Sequence, residues 1–432
     1  MISYTGTLVP NICFKDGDYM KRDILHVDCN NFFASVESVY SPELRDIPFA
    51  VAGRKEERHG IILAKNELAK AYGVRTGEAV WEAKQKCPML TTVEPHFDRY
   101  HKFSRLFKGI CFEYTDLLES FGIDECWLDL TGNRRNPVEI AEEIRRRVKE
   151  EYGLTVSIGV SFNKIFAKLG SDMKKPDAVT VITEENFKEK IWKLPVENML
   201  GVGRATMKKL KSRYIETIGE LAETELSVLE SWLGKWGEYL WIYANGLDSS
   251  PVMRFDAKTP PKSVSSGVTP YRDLENDRDV KILIYALSEN IAMQLREHNL
   301  KCRTVSINIR DRNLSWITRQ CSFSSSIADS SQLAETAFRL YKNACRSIIP
   351  VRSISVCASE LVPYSEEVQL DFGGEAMQDQ KKESINRAVD NLRKRFGYDT
   401  VRRAVVMQDK RLGMFNPKET GETAPVGFRP NI

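Results

Sequence analysis

The stretch that decides the fold is residues 24–33, with the sequence ILHVDCNNFF. Its first four residues form a short apolar run that ends at Asp28, which predicts a buried strand with a carboxylate at its C-terminal end. A helix is predicted directly after it, at 31–40. Because strand and helix patterns continue to alternate up to about residue 185, we expect a sheet covered by helices, in an α/β or α+β body.

A second strand–helix pair is predicted further along the chain. The strand at 155–160 is followed at once by a helix, for which Ser161 is the expected N-cap. Lys164 and Lys168 lie off the apolar stripe of this helix. The stripe itself recurs at helical spacing and is expected to face a core; it consists of Phe162, Ile165, Phe166 and Leu169.

The composition changes after residue 185. Residues 186–247 are nearly all helical in pattern and are broken at glycines, which predicts a small all-α unit. Residues 248–262 hold three prolines among polar neighbours and predict an extended linker.

A second α/β unit is predicted beyond this linker. Its strand at 304–310 alternates, with Val305, Ile307 and Ile309 on one face. A helix at 379–396 carries an apolar stripe that could cap the unit, and residues 411–432, with three prolines and three glycines, predict disorder. The stripe consists of Ile385, Val389, Leu392 and Phe396.

The overall composition excludes several classes of protein. The 432 residues carry 63 Lys and Arg against 60 Asp and Glu, a net charge of +3, so the chain is neither a histone-like basic protein nor a highly acidic one. No apolar run approaches a membrane span, and no secretory signal is expected at the N-terminus. The nine cysteines include no CxxC pair, which argues against a zinc ribbon and fits a reducing cytosol.

Two acidic spots adjoin apolar runs. Asp28 ends the first strand, and Asp124 and Glu125 lie between the apolar pairs at 117–118 and 127–128. Burying carboxylates there costs several kcal/mol unless a partner, commonly a divalent cation, compensates. Adjacent strand residues point to opposite faces, so both could serve one metal pair only at a hairpin turn, which Gly122 would favour. On composition alone, an acidic surface turn and a helix N-cap at Asp28 are the preferred interpretation.

The order of several motifs favours a different interpretation. Residues 28–33 (DCNNFF) lie about 95 residues before residues 123–125 (IDE), and the segments 60–74, 157–176 and 186–247 follow the same pattern. Over residues 22–365 the chain resembles the Y-family translesion DNA polymerases.

The resemblance implies an α+β fold shaped like a right hand. The palm would comprise 22–33 and 91–185, with small fingers at 34–90. An all-α thumb with a helix–hairpin–helix would occupy 186–247, and a linker at 248–262 would join it to an α/β little finger domain at 263–365. The two ends would be extensions, 1–21 and 366–432, the second with a clamp-binding peptide and a disordered tail.

The resemblance also implies the chemistry. Asp28, Asp124 and Glu125 would hold two Mg²⁺ ions, for which Mn²⁺ could substitute, with help from the backbone carbonyl of Cys29. The reaction would be two-metal phosphoryl transfer to a primer 3′-hydroxyl. The enzyme would be error-prone and would copy past lesions, and no segment remains for a proofreading exonuclease.

Nucleotide contacts are implied at five positions. Phe33 corresponds to the steric gate that rejects ribonucleotides, although an isolated Phe would be read as a core aromatic. Lys175 matches a triphosphate-binding lysine, and its alternative is a solvated lysine after a helix. Lys70 stands where relatives have arginine, which keeps the charge and loses bidentate geometry. The amides of Asn31, Phe32 and Phe33, at a helix N-terminus, could hold phosphate oxygens.

Besides Lys70, four positions depart from the family pattern and put nucleotide affinity in question, and Asn31 is among them. Relatives commonly have a hydroxyl residue at the position of Ala64, aspartate at Asn30, tyrosine or cysteine at Asn31 and serine at Gly122.

The resemblance implies primer–template DNA and deoxynucleoside triphosphates as partners. The sliding clamp could be a third partner. DNA contacts are expected at the thumb hairpin (Gly201, Gly203, Arg204) and in the little finger (Arg303, Arg310). Residues 300–352 carry nine Lys and Arg against three acids. A clamp peptide is expected at Gln369, Leu370 and Phe372, where a strand edge is an equal alternative. We expect a monomer that binds no membrane and works in the bacterial cytoplasm at the nucleoid.

Two other functions stay open at this point. One is a non-catalytic DNA- or clamp-binding relative, which the presence of all three carboxylates disfavours. The other is a palm-type nucleotidyl cyclase, which the thumb-like hairpin and the basic second unit disfavour. A Mg²⁺-dependent primer-extension assay separates the three.

Overall fold

The computed structural model describes residues 22–53, 60–257, 260–344, 350–364 and 375–413. The predicted N-terminal extension at 1–21 and the clamp peptide at 369–372 lie outside these residues. In chain order the strands are β1 Ile24–Cys29, β2 Phe49–Ala52, β3 Ile62–Lys65, β4 Thr91–Val93, β5 Leu118–Ser120, β6 Glu125–Asp129, β7 Val156–Ser161, β8 Val179–Val181, β9 Ser263–Val268, β10 Leu300–Asp311, β11 Trp316–Ile327 and β12 Val351–Pro363.

Helices connect and cover these strands. No helix in the described ranges has both the length and the apolar character that crossing a membrane requires. In chain order they are α1 Phe32–Tyr40, α2 Glu67–Ala71, α3 Val80–Lys86, α4 Phe97–Phe112, α5 Pro137–Tyr152, α6 Lys164–Met173, α7 Phe187–Ile191, α8 Arg204–Lys211, α9 Ile218–Glu223, α10 Leu226–Leu233, α11 Lys235–Ala244, α12 Asp277–Glu297, α13 Ser330–Ala344, α14 Glu375–Phe396 and α15 Lys410–Gly413.

The first strand lies at the centre of a five-stranded sheet with the order β5-β6-β1-β7-β8. β1 pairs antiparallel with β6 and with β7. Leu25 and Val27 pack into a core with α4 and α5, whereas Ile24 packs with Ala167 of α6 on the other face. By the same alternation, His26 and Asp28 face α6. The predicted strand at 24–27 and the helix after it are confirmed.

Helix α6 begins at a different cap from the one predicted. The side chain of Asn163 accepts a hydrogen bond from the Phe166 amide at 2.8 Å, while Ser161 is buried as the last residue of β7. The prediction of Ser161 as N-cap is therefore wrong, because the strand runs one residue further. The predicted apolar stripe of α6 joins the core of the helices α7–α11, with Ile165, Phe166 and Leu169 buried there.

Two short units flank this sheet. In the fingers segment, β2 lies between β3 and β4 in a small sheet over a separate core. The all-α unit is followed by an extended segment in which Val252 packs against Ile24 and Trp127 of the first sheet.

The second α/β unit is built on a sheet with the order β11-β10-β12-β9. Val305, Ile307 and Ile309 of β10 are buried beneath α12 and α13, which confirms the predicted alternation. Residues 411–413 are helical and Leu412 is buried, so the prediction of disorder is wrong at the start of the tail. The rest of the tail lies outside the described residues.

Helix α14 packs on this unit through charged groups. Arg393 pairs with Glu289 at 2.9 Å, and Asp390 receives two hydrogen bonds from Arg296 at 2.6 and 3.0 Å. Three of the four apolar side chains that were expected to cap the unit are exposed instead and Val389 is half-buried, so that interpretation is wrong. The exposed side chains are Ile385, Leu392 and Phe396.

The contact between α6 and the sheet depends on Gly159 of β7. A Cβ atom at this position would lie 1.8 Å from the carbonyl oxygen of Ala167 and 2.6 Å from the Ser171 amide. Both atoms belong to the backbone of α6, so the helix itself would have to move away. Gly159 therefore lets α6 lie directly on the strands that carry the acidic residues.

We predict that Gly159→Ala destabilises the protein by about 3 kcal/mol or more, because overpacking against backbone cannot relax. Thermal unfolding measures the effect. Gly109→Ala in α4 is the matched control, since its Cβ would meet no atom within 4 Å and alanine favours a helix. A Gly159→Ala melting temperature as high as that of the control would contradict the prediction.

Candidate active site

Two of the predicted metal ligands lie opposite each other in the sheet. Asp28 is the last but one residue of β1 and pairs with Glu125 at the start of β6. Asp124 lies in the connection between β5 and β6, where the Phe121 amide donates to the Glu125 carbonyl at 3.2 Å. The Cys29 amide donates to the Asp124 carbonyl at 3.0 Å. The hairpin turn that the sequence required for two adjacent ligands is thus present.

The acidic residues come together with a histidine that the sequence analysis did not select. Ligand atoms of His26, Asp28 and Glu125 all lie within 4.8 Å of one another. Asp124 falls outside this group, although its carboxylate senses the charges of Asp28 and Glu125. The sequence does contain a signal for His26: it lies two residues before Asp28, and residues two apart on a strand share one face.

The electrostatics of the three carboxylates differ. Burial, with the negative charges of Asp28 and Glu125, raises the pKa of Asp124 to about 6. Burial also acts to raise the pKa of Glu125, but contacts with His26 and Lys168 outweigh it and hold that pKa at about 2. Burial raises the pKa of Asp28 against the opposing charge of Lys175. The neighbouring cationic side chains thus offset only part of the negative charge of the cluster.

Two lysines from the α6 segment contact the cluster. Lys168 Nζ lies 2.5 Å from Glu125 Oε2. Lys175 Nζ lies 2.9 Å from Asp28 Oδ2 and 2.8 Å from Asp172 Oδ1. Lys175 was predicted for the triphosphate, whereas Lys168 was noted only as lying off the apolar stripe.

Two side chains of α4 form hydrogen bonds to the turn that precedes Asp124. Lys108 Nζ donates to the Gly122 carbonyl at 2.6 Å, and the Ser104 hydroxyl donates to the Ile123 carbonyl. Ser104 and Lys108 are four residues apart and share one helix face. No sequence signal pointed to either residue, because the turn they hold lies more than ten residues away.

A cleft of about 320 Å³ opens beside the cluster. Of the predicted nucleotide contacts, Asn31, Phe32, Lys70 and Lys175 line this cleft. The side chain of Phe32 is buried in the core, so its backbone is the part available to a ligand. The cleft is therefore lined by both acidic groups and lysines.

Glu67 connects two of the predicted contacts. Its Oε1 accepts hydrogen bonds from Asn31 Nδ2 at 2.8 Å and from Lys70 Nζ at 3.2 Å. Asn31 adopts a left-handed conformation with φ of 49° before α1 begins. Sequence reasoning missed Glu67 because the pairing joins α1 to a helix 36 residues later.

Phe33 packs against a second aromatic ring. Its ring stacks on Tyr100 with centroids 4.2 Å apart and an interplanar angle of 11°. The Tyr100 hydroxyl donates to buried Glu37 at 2.6 Å. Tyr100 of α4 thus fixes the position of the Phe33 ring.

The predicted DNA contacts lie in other parts of the chain. Gly201 has φ of 90°, and a Cβ there would lie 2.4 Å from the Trp236 ring, so glycine is required at this turn. Gly203 precedes Arg204, the first residue of α8. In the second unit, Arg303 lies at a register shift in β10, and Arg310 lies 5.4 Å from the centroid of the Trp316 ring.

Comparisons with known proteins agree with this geometry. Sequence profiles match three parts of the chain: the impB/mucB/samB family at 27–172, its C-terminal domain at 261–372, and the thumb domain of DNA polymerase-iota at 197–248. DNA polymerase IV of Acetivibrio thermocellus is 50% identical over 396 residues, which cover 91% of this chain and 99% of the relative. This chain belongs to the DNA polymerase IV group of Y-family DNA polymerases.

Two further relatives are less similar to this chain. DNA polymerase IV of Clostridium acetobutylicum is 32% identical and DNA polymerase IV 1 of Bacillus subtilis is 35% identical, each over 90% of this chain and over 99% and 94% of the relative. A solved Y-family DNA polymerase chimera matches the fold with a TM-score of 0.68 at 24% identity, covering 79% of this chain and 99% of that structure. The α+β right-hand fold with palm, fingers, thumb and little finger is therefore confirmed.

We predict that Asp124→Asn stabilises the metal-free protein at pH 8. A pKa of about 6 in place of 3.8 means that ionised Asp124 costs up to about 3 kcal/mol above pH 6, and this cost disappears as the pH falls below 4. Urea unfolding in EDTA should show the variant more stable than the wild type at pH 8, with little difference at pH 4. Equal stabilities at pH 8 would contradict the raised pKa.

Proposed function

We propose that this DNA-directed DNA polymerase adds deoxynucleotides to a primer 3′ end by two-metal phosphoryl transfer and acts in error-prone lesion bypass. The observation that carries the proposal is the cleft that Asp28 and Asp124 line together with Lys70 and Lys175. Carboxylates suit divalent cations, and ammonium groups suit a triphosphate, so one cleft presents both kinds of group.

The donor set fits Mg²⁺. Asp28, Asp124, Glu125 and the Cys29 carbonyl offer hard oxygen atoms, and bound cations would offset the burial and the neighbouring negative charges that raise the pKa of Asp124. We propose that these residues hold two ions, with Mn²⁺ as a substitute. When bound, the ions would lower the pKa of the primer 3′-hydroxyl and neutralise charge on the triphosphate.

The lysines have distinct tasks in this proposal. Lys175 is shared between Asp28 and Asp172, so an incoming triphosphate can compete for its ammonium. Lys70 is exposed beside Glu67 and can reach a phosphate from the fingers side. The amides of Asn31, Phe32 and Phe33 precede or begin α1, where N–H groups point out of the helix and can donate to phosphate oxygens.

Phe33 is proposed as the steric gate for the sugar. The stacking on Tyr100, which Glu37 holds in place, leaves the ring little freedom to tilt aside. A fixed ring can exclude a 2′-hydroxyl, whereas a mobile ring would admit it.

The remaining partners are also proposals. The thumb turn at Gly201 and Gly203, with Arg204, would contact the DNA backbone without reading sequence. Arg310 extends from the outer face of the little finger sheet, opposite the buried apolar face, and Arg303 lies at the register shift. Both are proposed to contact DNA phosphates.

We further propose docking on a sliding clamp through Gln369, Leu370 and Phe372, which lie outside the described residues. A monomeric enzyme that works at the bacterial nucleoid completes the proposal.

We predict that Asp124→Asn abolishes Mg²⁺-dependent primer extension, because the amide replaces a charged metal ligand. The affinity for primer–template should stay within about twofold of the wild type, because Asp124 is not a proposed DNA contact. Extension of a labelled primer and fluorescence anisotropy measure the two properties. Asp116→Asn, an exposed aspartate paired with Arg254, is the control and should extend normally.

The same assay separates the alternatives. A binding module would give no product with the wild type, and a nucleotidyl cyclase would consume nucleotide without DNA. Normal extension by Asp124→Asn would remove that residue from the proposed metal site.

A further inference from the structure

The two oxygens of Glu125 have different surroundings. Lys168 Nζ lies 2.5 Å from Oε2, and His26 Nε2 lies 3.3 Å from the same oxygen. Oε1 lies on the side of Gly122, where a Cβ would be 3.5 Å from it and 3.2 Å from Asp124 Oδ1. The carboxylate is thus contacted by a cation at one oxygen and turned toward the acidic turn at the other.

Lys168 is held firmly on α6. Its ammonium lies 5.0 Å from the centroid of the Phe121 ring, and only 17% of its side chain is exposed. Its backbone carbonyl accepts a hydrogen bond from the Ser171 hydroxyl, which also lies 2.9 Å from His26 Nδ1. The close contact of α6 with β7 at Gly159 fixes this arrangement relative to the strand that carries Asp28.

Lys168 and Lys175 differ in a way that indicates different tasks. Lys175 follows the end of α6 and is shared between Asp28 and the exposed Asp172. Lys168 lies within the helix and contacts Glu125 at the distance of a strong charge-assisted hydrogen bond. The first can exchange its partner for a triphosphate, whereas the second has a fixed geometry.

We propose that Lys168 is a positioning residue for the polymerase reaction. It holds Glu125 by Oε2, so that only Oε1 is offered to a divalent cation, and it offsets one negative charge of the carboxylate cluster. This inference rests on the proposed function, because it assumes that Glu125 is a metal ligand. It assigns to Lys168 no contact with substrate.

Removal of the Lys168 ammonium affects both metal binding and turnover. Without the ammonium, the cluster becomes more negative and Oε2 of Glu125 keeps only the contact with His26, so a cation binds more tightly. The orientation of Glu125 is lost at the same time, so turnover falls. Metal affinity and turnover therefore change in opposite senses, whereas general damage to the site would weaken both.

The test uses Lys168→Met in the full-length protein, with Mn²⁺ as the probe. Electron paramagnetic resonance of free Mn²⁺ measures binding without DNA or nucleotide, and single-turnover primer extension measures the rate. We expect Mn²⁺ binding to tighten by about threefold or more, and the extension rate to fall by about tenfold or more.

Lys164→Met is the matched control. Lys164 lies one helical turn earlier on α6, and its buried ammonium contacts both oxygens of Glu119 at 2.7 and 2.8 Å. Its loss should lower the melting temperature and leave the Mn²⁺ affinity unchanged. Should Lys168→Met fail to fold, Lys168→Gln supplies the same loss of charge with a shorter, polar side chain.

The outcomes separate the two levels of the proposal. Weaker or unchanged Mn²⁺ binding by the neutral Lys168 variants overturns the positioning role, as does an unchanged extension rate. Glu125→Gln should also abolish the effect of Lys168→Met on Mn²⁺ binding, and persistence of that effect overturns the role as well. If the wild type shows no primer extension, the proposed function fails, and the Mn²⁺ titration still decides what Lys168 does to the acidic cluster.

Discussion

The burial of three carboxylates at one end of an apolar sheet is the constraint on which the rest of the structure depends. Asp28 and Glu125 face each other across β1 and β6, and Asp124 lies in the adjoining turn. Burial of like charges this close together is unfavourable: burial, and then the charges of Asp28 and Glu125, raise the pKa of Asp124. Cationic side chains from α6 and the segment after it contact two of the three acids, which leaves an excess of negative charge beside the cleft.

Helix α6 is what brings these countercharges into place. Gly159 lets the helix lie on the sheet without an intervening side chain, and Lys164 and Lys168 extend from it toward two different glutamates. The apolar stripe of the same helix packs into the thumb core. One helix thus joins the acidic cluster to the unit proposed to grip DNA, so its placement affects catalysis and stability together.

Much of this arrangement could be predicted from local patterns. The apolar run before Asp28 predicted β1, and the use of Asp124 and Glu125 as adjacent ligands required a hairpin turn, which Gly122 favoured. Contacts set by packing could not be predicted in this way. Lys168 appeared only as a residue off the apolar stripe, and the period of a helix does not say which distant glutamate it will meet.

Helix α14 is a second case in which a contact set by packing could not be predicted from the local pattern. Its apolar stripe was taken for the buried face, yet buried Arg393 pairs with Glu289 while Leu392 and Phe396 are exposed. Long-range ion pairs outweighed the local hydrophobic pattern there.

The most direct test of the account is a crystal structure with primer–template DNA, a non-hydrolysable deoxynucleotide and Mg²⁺. The account predicts metal ions on Asp28, Asp124 and Glu125, with Lys175 moved from Asp28 to the triphosphate and Lys168 still on Glu125 Oε2. A triphosphate bound away from these acids, with Lys175 still paired to Asp28, would contradict it.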